Sequence, residues 1–229
     1  MEQNKLPRHV GIIMDGNGRW AEARGKERSY GHKHGSANVD RIVEYAFLKK
    51  GVFALTLYAF SAENWARPKK EVDELMRLLK DYLKKFAKKL VASDARLIVC
   101  GSREGLSQEL IEEINSVEEK TKHHTKHILN IALNYGGRQE IINAVNTLIN
   151  QNKEITIDGV LDNLYTKESG EPDLIIRTGG EKRISNFLLF QSAYSELYFT
   201  DLLWPDFDEG AFDMAMDDFS QRKRRFGKI

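Results

Sequence analysis

The sequence contains little cysteine and little proline. Its 229 residues include a single cysteine, Cys100, and four prolines. One cysteine cannot form an internal disulfide, which fits a reducing compartment. The longest apolar run, residues 51–60, reaches half of the ~20 residues that a membrane-spanning helix needs. Residues 1–8 are polar and show no signal-peptide pattern. We therefore expect a cytoplasmic globular protein.

The chain also lacks an excess of charge of either sign. It has 35 Lys and Arg residues against 34 Asp and Glu residues, for a formal net charge of +1. Proteins dedicated to nucleic-acid binding usually carry a strongly basic domain, so this balance argues against that class. The hydrophobic fraction of 41% is sufficient for a sizeable core. No linker-like segment divides the chain, and we expect a single domain over residues 1–229.

Hydrophobic periodicity predicts alternating strands and helices. The predicted strands are residues 10–14, 52–60, 96–100, 128–134, 173–177 and, as a weaker sixth, 197–200. The predicted helices are residues 35–49, 71–91, 108–122, 138–150, 157–165 and 212–225. Strands that are apolar almost throughout are typical of a parallel sheet covered on both faces. The predicted fold class is α/β, with a mostly parallel central sheet and helices on both faces.

The clearest helical pattern, residues 71–91, has an apolar stripe opposite a lysine-rich face. Apolar residues recur at steps of three and four, at Val72, Leu75, Met76, Leu79, Leu83, Phe86 and Leu90. Such a stripe packs in the core of most proteins. It could instead form the wall of a cavity for a lipid chain, and the sequence does not distinguish these two interpretations.

Polar segments follow the first, second and fifth predicted strands. These segments are residues 15–21, 61–68 and 177–186, and they contain carboxylates, paired glycines and arginines. Ligands of parallel sheets bind beyond the carboxyl ends of the strands, so we expect these segments to meet. Glycine lets backbone N–H groups approach a ligand closely. The guanidinium of an arginine can donate two parallel hydrogen bonds to the oxygens of one phosphate. The pattern predicts a site that binds diphosphate, with more than one diphosphate group bound.

Other interpretations of these residues are weaker. Residues 16–21 match the GxGxxG/A pattern of dinucleotide-binding folds, with alanine at the last position, but the acidic residue that should end the second strand is missing. No GxxxxGK[ST] phosphate-binding loop occurs. Asp15 could cap a helix, although the nearby Arg19, Arg28 and Arg177 favour a ligand site. His32 could either contact a phosphate or cap the next helix.

Taken together, these segments resemble the cis-prenyltransferases. The resemblance rests on HVGIIMDGNGRWA at 9–21, LYAFSAENW at 57–65, NYGGR at 134–138, DLIIRTGGE at 173–181, RISNFLL at 183–189, YSELYF at 194–199 and WPDF at 204–207. These motifs cover nearly the whole chain in order. The two Asp-rich boxes of trans-prenyltransferases are missing.

The resemblance implies a reaction. It is the repeated condensation of isopentenyl diphosphate onto an allylic diphosphate such as farnesyl diphosphate, with each new double bond cis. The expected product is a long-chain cis-polyprenyl diphosphate such as undecaprenyl diphosphate, a lipid-carrier precursor for cell-wall synthesis. Some members of this family are inactive scaffold subunits that bind a partner prenyltransferase. That alternative is less consistent with Asp15, Arg177, Arg183 and Glu196, which a scaffold would not need.

The resemblance also implies roles for individual residues. Asp15 would act at the allylic diphosphate and Asn64 would be the proton acceptor. Asp15 and Glu196 would bind Mg²⁺. Substrate binding would involve Gly16, Asn17, Gly18, Arg19, Trp20, Arg28, His32, Ser61, Ala62, Glu63, Trp65, Arg67, Arg177, Arg183, Ile184 and Ser185. An amide such as Asn64 is a poor base, so a diphosphate oxygen reached through Ser61 is an equally plausible acceptor.

The resemblance implies a homodimer as well, and peripheral contact with the inner face of a membrane when the product leaves. One segment departs from the usual family pattern: Cys100-Gly101-Ser102 stands where Ile-Gly-Asp is common. The change removes an acidic residue after the third predicted strand. It affects none of the residues expected to bind diphosphate.

Overall fold

Six apolar segments form one parallel sheet in the computed structural model, which describes residues 6–223. The strands are β1 (His9–Ile13), β2 (Ala54–Ser61), β3 (Ala95–Cys100), β4 (His127–Tyr135), β5 (Leu174–Arg177) and β6 (Glu196–Phe199). Their order is β3-β4-β2-β1-β5-β6, and every pairing is parallel. All six predicted strands are present, including the weaker sixth.

Residues 6–223 form seven α-helices, six of which lie between strands and one of which follows the last strand. They are α1 (Asn17–Glu22), α2 (Arg28–Glu44), α3 (Lys69–Ala92), α4 (Gln108–Thr121), α5 (Gly137–Asn150), α6 (Ile157–Leu161) and α7 (Glu209–Gln221). A π-helical turn, Tyr45–Lys49, extends α2, and short 3-10 helices occur at Ala62–Ala66 and Trp204–Asp206. No helix among residues 6–223 is both long and apolar enough to cross a lipid bilayer.

Alternate residues of the strands enter cores on opposite faces of the sheet. On β1, Ile12 belongs to a large cluster that includes residues of α2, α3, α4 and α7. The next residue, Ile13, belongs to a smaller cluster with Phe187 and Leu188 on the other face. Side chains of a strand alternate between faces, so a sheet buried on both faces must be apolar at nearly every position. The predicted α/β class is confirmed.

The N-terminal part of the second helix differs from the prediction. The helix begins at Arg28, seven residues before the predicted start at residue 35. A Cβ at Gly31 would lie 1.9 Å from the backbone oxygen of Asn17, and one at Gly35 would lie 2.0 Å from the Asn17 side-chain oxygen. Close contact with α1 therefore requires glycine at these two positions of α2. Because the glycines and their polar neighbours interrupt the hydrophobic periodicity, the sequence did not predict this part of the helix.

Other boundaries also shift. The short helix α1 was not predicted, α6 ends at Leu161 instead of residue 165, and α7 begins at Glu209 instead of residue 212. The predicted end of the last helix, residue 225, lies outside the described residues.

The strand order places three carboxyl ends side by side at the centre of the sheet. From β1 the chain continues to β2 on one side, and it later enters β5 on the other side. Such a reversal leaves a crevice between the loops that follow the neighbouring strands. The segments after β1, β2 and β5 therefore face a common cleft.

Candidate active site

A polar cleft of about 310 Å³ lies at the carboxyl ends of β1, β2 and β5. It brings together eleven of the residues proposed from the sequence. They are Asp15, Asn17, Gly18, Arg28, His32, Ser61, Asn64, Arg67, Arg177, Arg183 and Ser185. Residues from distant parts of the sequence thus meet in one site, as the sheet topology requires.

An ion pair between Asp15 and Arg177 lies in the floor of this cleft. Nη2 of Arg177 donates to Oδ2 of Asp15 at 2.9 Å, and Nη2 of Arg19 lies 3.3 Å from Oδ1 of Asp15. The Arg177 side chain is 5% exposed, whereas that of Asp15 is 32% exposed. The carboxylate is therefore accessible from the cleft, and the buried guanidinium behind it is fixed in place.

Arg177 is also held by the loop that follows β5. Its Nη1 donates to the Ser185 hydroxyl at 2.7 Å and to the backbone oxygen of Arg183 at 2.5 Å. Its buried Nε has no hydrogen-bond partner among the described residues. A buried cation fixed by several acceptors needs little rearrangement to bind an anion. This half of the cleft is suited to a phosphate group.

Glu71 of α3 organises a second group of basic side chains across the cleft, two arginines and a histidine. Its carboxylate lies 3.4 Å from Nε of Arg28, 3.4 Å from Nε2 of His32 and 3.1 Å from Nη1 of Arg67. Burial would raise the pKa of the Glu71 carboxyl, but Arg28, Arg67 and His32 outweigh it and lower that pKa. Burial lowers the pKa of His32 despite the attraction of Glu71. The sequence analysis did not identify Glu71, although it stands four residues after Arg67.

Ser61 and Asn64 form a capping box around the 3-10 helix Ala62–Ala66. The Ser61 side chain accepts a hydrogen bond from the backbone of Asn64, and Oδ1 of Asn64 accepts one from the backbone N–H of Ser61 at 3.1 Å. This reciprocal pair fixes both side chains at the edge of the cleft. The amide oxygen of Asn64 is therefore already engaged in a hydrogen bond.

Tyr58 is a cleft residue that the sequence analysis missed. It stacks on Phe187, and its hydroxyl lies 3.2 Å from the backbone oxygen of Ser185 and 3.3 Å from that of Tyr135. Burial, followed by the negative charge of Glu63, raises the pKa of Tyr58. Its hydroxyl therefore stays protonated and can donate. Tyr58 lies in β2 before the polar segment, so only the shape of the cleft identifies it.

Several predicted substrate residues lie outside the cleft lining. Trp20 packs against Tyr30 and His34, and its Nε1 donates to Asp206 at 2.7 Å. Ala62 and Trp65 line a separate polar cleft. Gly16, Arg19, Glu63 and Ile184 are likewise not among the lining residues. Direct substrate contact by these residues remains a prediction.

Glu196 is distant from Asp15 within one chain. It begins β6, where it pairs with Leu174, whereas Arg177 pairs with Phe199 at the other end of the strand. Three residue steps along a strand correspond to roughly 10 Å. The Glu196 carboxylate instead accepts a hydrogen bond from Nη1 of Arg222 at 2.8 Å. The carboxylates of Asp15 and Glu196 therefore do not lie side by side within one chain, and a metal-binding role for Glu196 stays a prediction.

A divalent cation would need donors beyond the protein. Among residues 6–223, no group of three or more His, Cys, Asp or Glu side chains is arranged to hold a metal. Mg²⁺ prefers oxygen ligands and is often bound by one or two carboxylates together with substrate phosphates. The accessible carboxylate of Asp15, beside a cation-lined cleft, fits this mode of binding.

An apolar cavity of about 90 Å³ adjoins the cleft and shares Met14, Asn17, His32, Ala59 and Leu75 with it. Its other lining residues include Leu57, Phe60, Met76, Leu79, Tyr82 and Ile131. The apolar stripe of α3 therefore has two different environments, and the binding of a lipid chain in the cavity stays a prediction. Leu75, Met76 and Leu79 line the cavity, whereas Leu83, Phe86 and Leu90 are buried in the core.

Comparisons with known proteins agree with this architecture. Residues 13–227 match the family described as "Putative undecaprenyl diphosphate synthase". The isoprenyl transferase of Fusobacterium nucleatum subsp. nucleatum is 50% identical, and the alignment covers 100% of this chain and 99% of that protein. The (2E,6E)-farnesyl-diphosphate-specific ditrans,polycis-undecaprenyl-diphosphate synthase of Pasteurella multocida is 49% identical, with 99% of this chain and 97% of that protein covered.

Solved structures show the same fold. Lavandulyl diphosphate synthase from Lavandula x intermedia, in complex with dimethylallyl diphosphate, has a TM-score of 0.93 and 33% identity. A probable undecaprenyl diphosphate synthase from Campylobacter jejuni has a TM-score of 0.84 and 34% identity. Each comparison covers 99% of this chain and 100% of the other. The resemblance seen in the sequence is confirmed: the chain belongs to the undecaprenyl diphosphate synthase family of cis-prenyltransferases.

Proposed function

We propose that this enzyme condenses isopentenyl diphosphate repeatedly onto farnesyl diphosphate and releases a long-chain cis-polyprenyl diphosphate of the undecaprenyl type. One observation carries the proposal: a cleft with two separate groups of cations opens directly beside an apolar cavity. Two cation groups suit two diphosphates, and the cavity suits the hydrocarbon chain of one substrate.

The first chemical step is loss of the allylic diphosphate. The carbon–oxygen bond breaks, and the bonding electron pair leaves with the diphosphate. Donors aimed at the departing oxygens lower this barrier because negative charge accumulates there. Asn17 and His32 line both the cleft and the cavity, and together with Gly18 and Arg28 of the cleft they would bind this leaving group. Its isoprenoid chain would then enter the cavity.

The second step forms the new carbon–carbon bond. Arg177, Arg183 and Ser185 would hold the diphosphate of isopentenyl diphosphate. Its double bond attacks the allylic carbon, and one proton leaves the isopentenyl unit. Because an amide is a poor base, and the Asn64 oxygen already accepts a hydrogen bond from the backbone N–H of Ser61, we assign the proton to a diphosphate oxygen. Ser61 and Asn64 would then orient the reacting carbons.

We further propose that the reaction requires Mg²⁺, bound by Asp15 together with substrate phosphate oxygens. The ion would neutralise charge that develops on the leaving group. Asp15 is suited to this role because its carboxylate is held by Arg177 on one side and stays accessible on the other.

Chain growth would have to widen the apolar cavity. Its volume is about 90 Å³, and a polyprenyl chain of many isoprene units needs more space. Each buried CH₂ contributes about 0.8 kcal/mol, so every added isoprene unit strengthens the binding of the product to the enzyme. We therefore propose slow product release, aided by peripheral contact with a membrane. Detergent should accelerate turnover.

The decisive experiment incubates the purified protein with farnesyl diphosphate, labelled isopentenyl diphosphate and Mg²⁺. Dephosphorylated products are then sized, with Asp15→Ala and an EDTA-treated sample in parallel. Asp158→Ala, an exposed aspartate of α6, is the matched control. We expect labelled polyprenyl chains from the wild type and the control only. A folded wild type that makes no chains from farnesyl, geranyl or geranylgeranyl diphosphate would refute the proposal and favour the scaffold alternative.

A homodimer is part of this proposal. Sedimentation velocity of the full chain measures it directly, and a species of twice the chain mass is expected.

A further inference from the structure

The side chain of Asn186 connects two loops at the edge of the cleft. Its Nδ2 donates to Oε1 of Glu63 at 2.9 Å, and its Oδ1 accepts from the backbone N–H of Arg138 at 2.9 Å. Glu63 belongs to the 3-10 helix after β2, and Arg138 belongs to the first turn of α5. One amide thus joins the segments that follow β2 and β4 to its own segment, which follows β5.

The backbone around Asn186 supports the same connection. Its carbonyl oxygen accepts from the N–H of Gly137 at 2.8 Å. A Cβ at Gly136 would lie 2.8 Å from Nδ2 of Asn186, so glycine is what allows this close approach. Asn186 has a φ of 63°, in the left-handed region where asparagine is tolerated better than most residues. Local conformation and tertiary contacts both fix the orientation of this side chain.

The loops joined by Asn186 carry residues of the proposed site on both sides. Its neighbour Ser185 accepts from Arg177 and, through its backbone, from Tyr58. Glu63 precedes Asn64 directly. A second opening of about 470 Å³, lined by Ser61, Glu63, Asn64, Arg138, Ser185, Asn186 and Leu189, lies across this connection. Movement of the Asn186 contact would therefore change the distance between Asn64 and the residues around Arg177.

We propose that Asn186 is a positioning residue that sets the distance between Asn64 and the diphosphate held by Arg177 and Ser185. The inference rests on the proposed function. The position requires a side chain that donates to a carboxylate and accepts from an N–H group, and an amide does both. Aspartate has the same shape but loses the donor, and it places a second negative charge beside Glu63.

The environment of Glu63 agrees with Asn186 as the donor and Glu63 as the acceptor of their hydrogen bond. Burial would raise the pKa of the Glu63 carboxyl, but the hydrogen bond from Asn186 and other nearby donors outweigh it and lower that pKa. Glu63 is therefore ionised near neutral pH and acts as an acceptor, so the donor must come from Asn186.

The test is a polarity swap. Asn186→Asp, Glu63→Gln and the double variant Asn186→Asp with Glu63→Gln are compared with wild type. In the double variant the introduced glutamine amide can donate to the introduced aspartate, which restores the contact in the opposite direction. Asn152→Asp is the matched control, because Asn152 also has positive φ (52°) but is exposed and makes no side-chain hydrogen bond among residues 6–223.

We expect Asn186→Asp to lower kcat/KM for isopentenyl diphosphate about 10- to 100-fold, the range for one hydrogen bond to a charged group. The double variant should recover at least about half of that loss on a logarithmic scale. Asn152→Asp should match wild type. The proposal is overturned if Asn186→Asp retains wild-type kinetics, or if the double variant is no better than Asn186→Asp.

A second readout separates this proposal from the proposed function. Isothermal titration with inorganic diphosphate measures the same variants without turnover. A wild type that makes no product would overturn the proposed function alone. Weaker diphosphate binding in Asn186→Asp and its recovery in the double variant would still support the positioning role. If the wild type makes no product, equal affinities in all variants would refute the positioning role.

Discussion

Arg177 and Asp15 are 162 residues apart in the sequence, yet Nη2 of Arg177 donates to Oδ2 of Asp15 at 2.9 Å. The contact follows from the sheet, because β1 and β5 are neighbours and both residues stand at their carboxyl ends. The pair combines a buried cation with an accessible carboxylate. The proposed Mg²⁺ would bind the carboxylate, and a substrate phosphate would bind the guanidinium.

Substitutions of this pair should not be additive. Asp15→Asn keeps the shape of the side chain but removes its charge, and we expect kcat/KM to fall at least about 100-fold. Arg177→Met should cause a loss of similar size, and the double variant should lose little more, because residues that act as a unit are non-additive. Steady-state kinetics with farnesyl and isopentenyl diphosphates measures all three variants. Fully additive losses would show that the two residues act separately.

Filling the apolar cavity should shorten the product. Leu79 lines the cavity of about 90 Å³, and Leu79→Trp would occupy most of that space. We expect chains shorter by at least about one isoprene unit, because the end of the growing chain meets the indole earlier. Lys88→Trp, on the exposed face of the same helix, is the control and should leave the length unchanged. Sizing of the dephosphorylated products measures the effect. Products of unchanged length from Leu79→Trp would mean that the growing chain leaves the cleft by another path.

Removing the charge of Glu71 should lower the pKa of His32 further. Burial already lowers that pKa, while Glu71 opposes the effect by attraction and a hydrogen bond. Glu71→Gln removes the attraction but leaves Arg28 and Arg67, which disfavour protonation. NMR titration of labelled histidines measures the shift, with the signal assigned by His32→Gln. A pKa that rises in Glu71→Gln would contradict this description of the cation group.

The stability of the fold should decrease as the pH falls from about 6.5 towards 4. His9 is buried, its Nδ1 and Nε2 contact Gly170 and Thr56, and burial lowers its pKa to about 4. The unfolded chain takes up a proton near pH 6.5, whereas the folded chain does not. The contribution of neutral, buried His9 to the free energy of unfolding is therefore complete above pH 6.5. It decreases as the pH falls below 6.5 and is lost once the pH has fallen through 4. It amounts to about 3 kcal/mol.

Urea unfolding of wild type, His9→Gln and His123→Gln at several pH values measures this contribution. The His9 variant should show a weaker dependence of the unfolding free energy on pH, because its residue 9 does not titrate. His123→Gln changes an exposed histidine and should follow wild type. Identical slopes in all three proteins would mean that the pKa of His9 is not lowered in the folded state.

The sequence was sufficient to predict the strands and the segments that meet in the cleft. Apolar residues on both sides of a strand indicate a parallel sheet, and the polar residues after β1, β2 and β5 then share one edge. Eleven of the predicted site residues line the cleft for this reason. The predicted start of α2 was wrong because Gly31 and Gly35 allow close contact with α1. Helical periodicity does not reveal such a contact.

Three features of the site depended on tertiary structure alone. Strand register places Glu196 at the far end of β6 from Arg177, so Glu196 lies away from Asp15 within one chain. Glu71 gathers Arg28, His32 and Arg67 only because α3 packs beside α2. The tryptophans of two site motifs, Trp20 and Trp65, turn away from the cleft. Side-chain direction depends on packing, which residue spacing does not specify.

The sequence by itself thus determined the chemistry available at the sheet edge, because residue type and strand periodicity fix which groups arrive there. Tertiary structure decided which groups pair, how large the apolar cavity is and how Asn186 joins the loops. These properties depend on distances between segments far apart in the chain. Such distances are set by the packing of helices and loops against the sheet, and no local pattern of residues encodes them.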